Sequence, residues 1–238
     1  MTIDLQAERG IRYGNSGKLL DIYRPAALTG LAPLVLLWHG RGPDERDVLS
    51  PLAREAAAKG LTVVVPDWRS DAADGGRAHL QESLEFARGH AADLGGDPAR
   101  FVLAGWSLGG RAAMGVAMHP EIAGDWRPGA VVGIASSYRT AALTTGTNPL
   151  DDLTGPVSPL PVYLIHGIGD TVVDVRHSRE LFTKMRERNW PVSINTPESD
   201  HAGVVMTEYD PRLGQCRLAK GVHGSSARSC DNGSHLSS

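Results

Sequence analysis

Short runs of β-branched and other apolar residues alternate with longer alanine-rich or charged stretches along most of this chain, and Gly or Pro separates them. The runs "PLVLLWHG" (33–40), "LTVVVPDW" (61–68), "RFVLAGWS" (100–107), "AVVGIASS" (130–137) and "PVYLIHG" (161–167) are continuous in apolar character and only a few residues long. Strands of that kind are buried on both faces, the position they occupy in a parallel sheet. The stretches "RDVLSPLAREAAAKG", "GGRAHLQESLEFARGHAADLG" and "DVRHSRELFTKMRERN" read as helices and supply the crossovers that parallel strands need. The pattern therefore predicts an α/β fold, a mostly parallel twisted central sheet with helices on both faces. "IRYG" and "LLDIYRP" read as an antiparallel opening pair, and "VSINTPESDH" as a last strand and its loop.

With 238 residues and 41% hydrophobic content, the chain suits one large domain. Its 24 basic and 27 acidic residues leave a net charge of −3 with no long Lys/Arg run, so neither nucleic acid nor an anionic membrane surface is an expected partner. The start "MTIDLQAERG" has no basic or apolar leader region, and the longest apolar stretch, "APLVLLW" (32–38), is too short to cross a bilayer. A cytoplasmic protein without membrane insertion is expected. Cys216 and Cys230 both lie late in the chain, which leaves the body without an internal disulfide and favours free thiols. From about Leu213 onward Gly, Ser and Arg replace the apolar periodicity. Residues 1–212 are thus expected to form the domain, and 213–238 a polar, disordered tail. Residues 140–160 show no convincing helix and read as a long loop, leaving the site relatively open.

Gly105, Ser107 and Gly109 form a G-x-S-x-G pattern. With 28 glycines in the chain, chance supplies about 0.2 such patterns, so the context has to carry the inference. Here the pattern follows a strand and precedes a helix. A serine on so tight a turn projects toward both a base and a substrate, and the turn brings backbone so close that side chains two positions either side are excluded. The amide of Leu108, at the start of the helix, can donate to a developing oxyanion.

A serine nucleophile needs a base and a group to orient it, and in open parallel sheets both come from loops at the carboxyl ends of later strands. Asp170, after "PVYLIHG", and His201, in "ESDHAG", occupy such loops in the order Ser, Asp, His. Asp174 is the rival acid, but it opens the next helix and suits an N-cap. Side chains adjacent on an extended loop point apart, which argues against Asp200. His39 and His166, each before a glycine at a strand end, suit structural hydrogen bonds. A metal string of His166, Asp170, Asp174 and His177 fits poorly, having no Cys or H-E-x-x-H element, and no nucleotide-binding glycine pattern opens a strand–helix unit. No cofactor and no metal is expected.

Through "WHGRG", "VVVPDWRSDA", "GWSLGG", "HGIGDTVVDV" and "SDHAG", in that order, residues 10–205 resemble the lid-poor esterases and lipases of the α/β-hydrolase fold. The resemblance implies Ser107 as nucleophile, Asp170 as acid and His201 as base, acting on a small-molecule ester. It also implies a second oxyanion donor from the loop after His39, the amide of Arg41 or of Gly42, since "HGRG" replaces the run of glycines seen in lipase-like members. Thioesterase, lactonase and peptidase chemistry share this machinery, and a non-catalytic module of the same fold is the alternative from another class. The Arg41 side chain suits either a salt bridge to Asp44 or Glu45 or a substrate carboxylate. Trp38, Trp68 and Trp106 are placed either to line an acyl pocket or to fill the core.

Overall fold

The computed structural model describes residues 4–27, 30–210, 212 and 215–218. β1 (Leu5–Tyr13) and β2 (Lys18–Pro25) pair antiparallel. After them come β3 (Ala32–Trp38), a 3-10 turn (Arg46–Leu49) leading into α1 (Ser50–Ala58), β4 (Thr62–Pro66) and α2 (Arg77–Gly89). The chain continues through β5 (Gly96–Trp106), α3 (Leu108–Met118), β6 (Ala130–Ile134) and a one-turn α4 (Pro149–Asp152). β7 (Val162–Ile165), α5 (Arg176–Glu187) and β8 (Val192–Asn195) complete the alternation. Eight strands form one sheet in the order β1-β2-β4-β3-β5-β6-β7-β8. β2 joins β4 antiparallel, and every pairing from β4 across to β8 is parallel.

Two cores explain the continuous apolar runs. All five residues of β4 are buried, because the sheet is covered on both sides there. Leu34, Leu36, Val64, Leu103, Val131 and Leu164 share one core with residues of α2, α3 and α5, including Leu80, Met114 and Leu181. The alternate residues Leu37, Val63, Val65, Ala104 and Ile134 share the other with Leu49, Ala53 and Ala57 at α1. Pro51 in the first turn of α1 is preorganised for a helix start, and Gly60 (φ 92°) follows its end in the left-handed conformation that a side chain disfavours.

The 140–160 segment is the expected loop, with one turn of helix inside it. Asn148 accepts a hydrogen bond from the Leu150 amide at 3.1 Å and Pro149 occupies the first turn, so a local cap forms α4 without any apolar periodicity. The segment is held against α3: Ala142, Thr144, Leu153 and Leu160 are buried, and Thr144 Oγ1 donates to the Ala112 carbonyl at 2.9 Å.

After β8 a 3-10 turn (Gly203–Val205) leads to β9 (Thr207–Asp210), which pairs antiparallel with β10 (Gln215–Leu218). β10 falls within residues 213–238, which the sequence assigns to the tail. Residues 219–238, where the rest of that expectation falls, and both cysteine expectations with Cys230, lie outside the described residues. Among the described residues no helix is long and apolar enough to cross a membrane.

Candidate active site

β5 runs directly into α3 through Ser107, which takes φ 55° and ψ −118°, a conformation costly for any residue with a side chain. Packing accounts for its neighbours. A Cβ on Gly105 would collide with the backbone of Gly109 and Gly110, and one on Gly109 with the carbonyls of Trp38 and His39. The turn is braced from β6, where Ile134 O accepts from the Ser107 amide at 2.8 Å and Ser136 Oγ donates to Ser107 O at 2.7 Å.

Asp170 and His201 meet as expected: His201 Nδ1 lies 2.7 Å from Asp170 Oδ2. Asp170 Oδ1 accepts from the amides of Val172 (2.9 Å) and Val173 (2.8 Å), and its side chain is fully buried. Burial alone would raise its pKa, but the bonds from His166, His201 and Val173 outweigh that and hold the carboxyl well below the usual carboxylate range. The ring of His201 packs on Trp106 with centroids 5.1 Å apart, and Trp106 Nε1 donates to the His201 carbonyl at 2.8 Å. The residue preceding Ser107 thus anchors the imidazole. Among the described residues no hydrogen bond joins the Ser107 hydroxyl to His201. Asp174 is elsewhere engaged, accepting from the Arg176 amide at 2.8 Å and pairing with its guanidinium at 2.7 Å.

The loop after β3 closes over the serine. A Cβ on Gly40 would stand 3.2 Å from Ser107 Cβ and 3.0 Å from Trp106 Cε3. The Gly42 amide donates to Ser70 Oγ at 3.0 Å, whereas the amides of Arg41 and Leu108 have no protein acceptor among the described residues. Of the two amides left open by the sequence, Arg41 is the free one. His39 shapes this loop: its Nδ1 donates to Gly40 O at 3.0 Å, while Nε2 accepts from the Glu45 and Trp68 amides at 3.2 Å each. Complete burial lowers the His39 pKa to about 4, which keeps the ring neutral, as an accepting nitrogen requires.

No family model matches the chain. Among solved structures, a proposed dienelactone hydrolase from Klebsiella pneumoniae superposes with a TM-score of 0.66 at 20% identity, covering 84% of this chain and 88% of that one. Esterase 2 of Thermogutta terrifontis, solved with butyrate bound, gives 0.66 at 19% identity over 82% and 84%. The fold is that of the α/β hydrolases. A truncated carbohydrate esterase from gut microbiota shares it, with a TM-score of 0.64 at 17% identity over 85% and 91%. In sequence, the uncharacterized protein YfhR of Salmonella typhi is 29% identical over 146 residues, 54% of this chain and 48% of that protein. The chain spans about half the length of the curated relatives it matches.

On this α/β-hydrolase frame the remaining expectations fall unevenly. Trp38 and Trp68 are fully buried and offer no surface to an acyl group. Trp38 Nε1 donates to Ser83 Oγ at 2.9 Å, and Trp68 stacks on His39. They are core aromatics, because the strand ends that carry them are covered by α2 and by the loops. Trp106 is also buried, with its ring against His201 and the Gly40 backbone. Among the described residues Arg41 forms neither of the salt bridges the sequence suggests: Asp44 pairs with Lys18 at 2.5 Å, and the Glu45 carboxyl packs on Gly42. Among the described residues no group of three or more His, Cys, Asp or Glu is arranged to hold a metal.

Three features go beyond the sequence reading, which assigns His166 structural hydrogen bonds without naming the acid as a partner. His166 is fully buried and bonds the acid itself, with Nε2 3.1 Å from Asp170 Oδ2, while Nδ1 lies 2.7 Å from Ser178 Oγ. Its four-residue offset from Asp170 in "HGIGD" was the available signal. Arg46 joins two buried carboxylates, Asp21 at 3.0 Å and Asp67 by its Nη1, which pins the end of the loop after β3. Arg111, one helical turn beyond Ser107, has no such partner among the described residues.

Proposed function

We propose that this chain is a serine hydrolase that cleaves small carboxylic esters through an acyl-enzyme. The observation that carries the reading is the 2.7 Å bond between Asp170 and the His201 imidazole, itself packed on Trp106 beside a serine held at positive φ. With Nδ1–H donated to Asp170, Nε2 is the basic nitrogen that faces the chemistry. It removes the Ser107 proton as Oγ attacks the ester carbonyl. The negative charge then moves to the carbonyl oxygen, where the free amides of Leu108 and Arg41 can donate. His201 returns the proton to the leaving alkoxide, and water repeats the two steps on the acyl-enzyme. The missing Ser107–His201 bond is compatible with this, since such bonds tighten when substrate binds.

The names of the structural neighbours, an esterase solved with butyrate and a carbohydrate esterase among them, support ester chemistry over another class. A small substrate agrees with the packing of the 140–160 segment on α3, which leaves no extended cover for a long acyl chain. Hydrolysis of a 4-nitrophenyl ester series is the test. Rates are expected to rise from acetate to butyrate or hexanoate and then fall. A rate that climbs through palmitate contradicts the small-ester reading, and no hydrolysis of any member contradicts esterase function.

A further inference from the structure

Two arginines flank the turn that carries Ser107: Arg41 follows Gly40, where an added Cβ would stand 3.2 Å from Ser107 Cβ, and Arg111 lies four residues beyond the serine. Arg111 is on the first turn of α3, and its amide donates to Ser107 O at 3.3 Å. Its Nε is buried with no hydrogen-bond partner, and the residue as a whole is only partly exposed. Arg41 is exposed on the loop after β3. Burial first, and then Arg41, pull the Arg111 pKa below its ordinary value. Neither side chain forms an ion pair or a hydrogen bond among the described residues. The carboxylates nearest in sequence are committed elsewhere, Asp44 to Lys18 and Glu45 against Gly42.

Elsewhere in the molecule, Arg46, Arg24, Arg69, Arg100, Arg139 and Arg176 each have a carboxylate partner. Arg127 has a buried Nε without a partner too, but its Nη2 donates to the Ala117 and Ser158 carbonyls, whereas no hydrogen bond to the Arg111 guanidinium is found among the described residues. A partly buried guanidinium with an orphaned donor, beside a second cation, is unfavourable alone and becomes favourable when an anion arrives between them. A guanidinium fork presents donors in the geometry of a carboxylate.

We propose that Arg41 and Arg111 bind a carboxylate carried by the substrate, so that the preferred substrates are small esters bearing an anionic carboxylate within reach of the helix turn that carries Ser107. This rests on the ester-hydrolase reading and narrows it. The guanidinium pair orients the ester before attack, and the neutral part of the molecule needs no deep apolar pocket.

The test compares isosteric pairs by pH-stat: monoethyl succinate against ethyl 4-methylpentanoate for a charge on the acyl side, and acetoxyacetate against isobutyl acetate for a charge on the alcohol side. In at least one pair the anionic ester is expected to have a kcat/KM about 10- to 100-fold higher, mostly through KM, as a charged hydrogen bond implies. That margin should shrink in about 0.5 M salt. Arg111→Met and Arg41→Gln should each remove most of it, and Arg111→Lys should keep part. Margins below about twofold in both pairs overturn the proposal, as does a margin that survives both substitutions. If the wild type cleaves none of the four esters, the esterase reading fails, and binding decides the narrower one. A rise in Tm with succinate but not with succinamide, lost in Arg111→Met, supports the anion site. Equal responses to the two compounds overturn it.

Discussion

The two halves of the site differ in how fully their polar groups are satisfied. On the Asp170 side both carboxylate oxygens are engaged, by the Val172 and Val173 amides and by His201 and His166, and His166 is itself held by Ser178. On the side of the loop after β3, the amides of Arg41 and Leu108 and the guanidinium of Arg111 have no protein acceptor among the described residues. A saturated network fixes geometry, whereas a row of unmatched donors fixes where negative charge is welcome. The division suits acyl transfer, in which the base must keep one orientation while the oxyanion exists only transiently.

The largest effects should come from breaking the saturated half. Ser107→Ala and His201→Ala are each expected to lower kcat by several orders of magnitude. Because they act as one unit, the double variant should lose little more, which steady-state kinetics on 4-nitrophenyl butyrate will read. Asp170→Asn should cost about 10³–10⁴ in kcat by removing the acceptor that selects the His201 tautomer. Asp174→Asn, exposed and paired only with its neighbour Arg176, should stay within about threefold of wild type. A severe Asp174→Asn effect with a mild Asp170→Asn effect would reverse the assignment of the acid.

The next contrast is in stability, and it sets one arginine against another. Removing Arg46 takes the guanidinium from two buried carboxylates, leaving Asp21 with Arg9 at 3.8 Å and the Gly10 amide, and Asp67 with the residue-46 amide, so Arg46→Met should cost about 3–5 kcal/mol in urea unfolding. Removing Arg111 strands nothing, and Arg111→Met should change stability by less than about 1 kcal/mol or raise it. Equal losses in the two variants would mean that Arg111 is also paired in solution.

Why Arg46 and Arg111 escaped the sequence while Ser107, Asp170 and His201 stood out in it is a matter of range. The glycines around Ser107 are dictated by backbone contacts within a few residues, and the order of Asp170 and His201 follows from strand ends that their own composition marks. The sheet was legible for the same reason, since each strand announces its double burial locally. Whether Arg41 finds a carboxylate depends instead on Lys18 capturing Asp44 from β2, and the burial of Trp38 and Trp68 depends on α2 closing over strand ends. One turn of helix at 149–152 is started by the Asn148 cap and Pro149 in a segment with no apolar period to read.

A smaller effect is expected in the pH dependence of stability, where two groups of the loop after β3 oppose each other. His39 has a folded pKa of about 4, below its unfolded value near 6.5, so the folded state binds fewer protons there. Its contribution is complete above about pH 6.5 and is lost as pH falls toward 4, a span of about 3 kcal/mol. Glu45 is pushed up to about 7 by burial, so it favours the folded state at low pH and loses that advantage as pH rises toward 7. Glu45→Gln should therefore raise stability near pH 7.5 relative to wild type and expose a steeper loss between pH 6.5 and about 4 in urea titrations. Parallel pH profiles for variant and wild type would show that Glu45 titrates as an ordinary surface carboxylate.

The claim on which the rest depends is that Ser107 is a nucleophile driven by His201, and covalent labelling tests it most directly. Incubation with a fluorophosphonate probe followed by peptide mass spectrometry should place one adduct on Ser107, at a rate about 10³-fold lower in His201→Ala, as the loss of a general base implies. An adduct on another residue, no adduct under conditions that label a serine esterase control, or labelling that His201→Ala leaves unchanged would contradict the account.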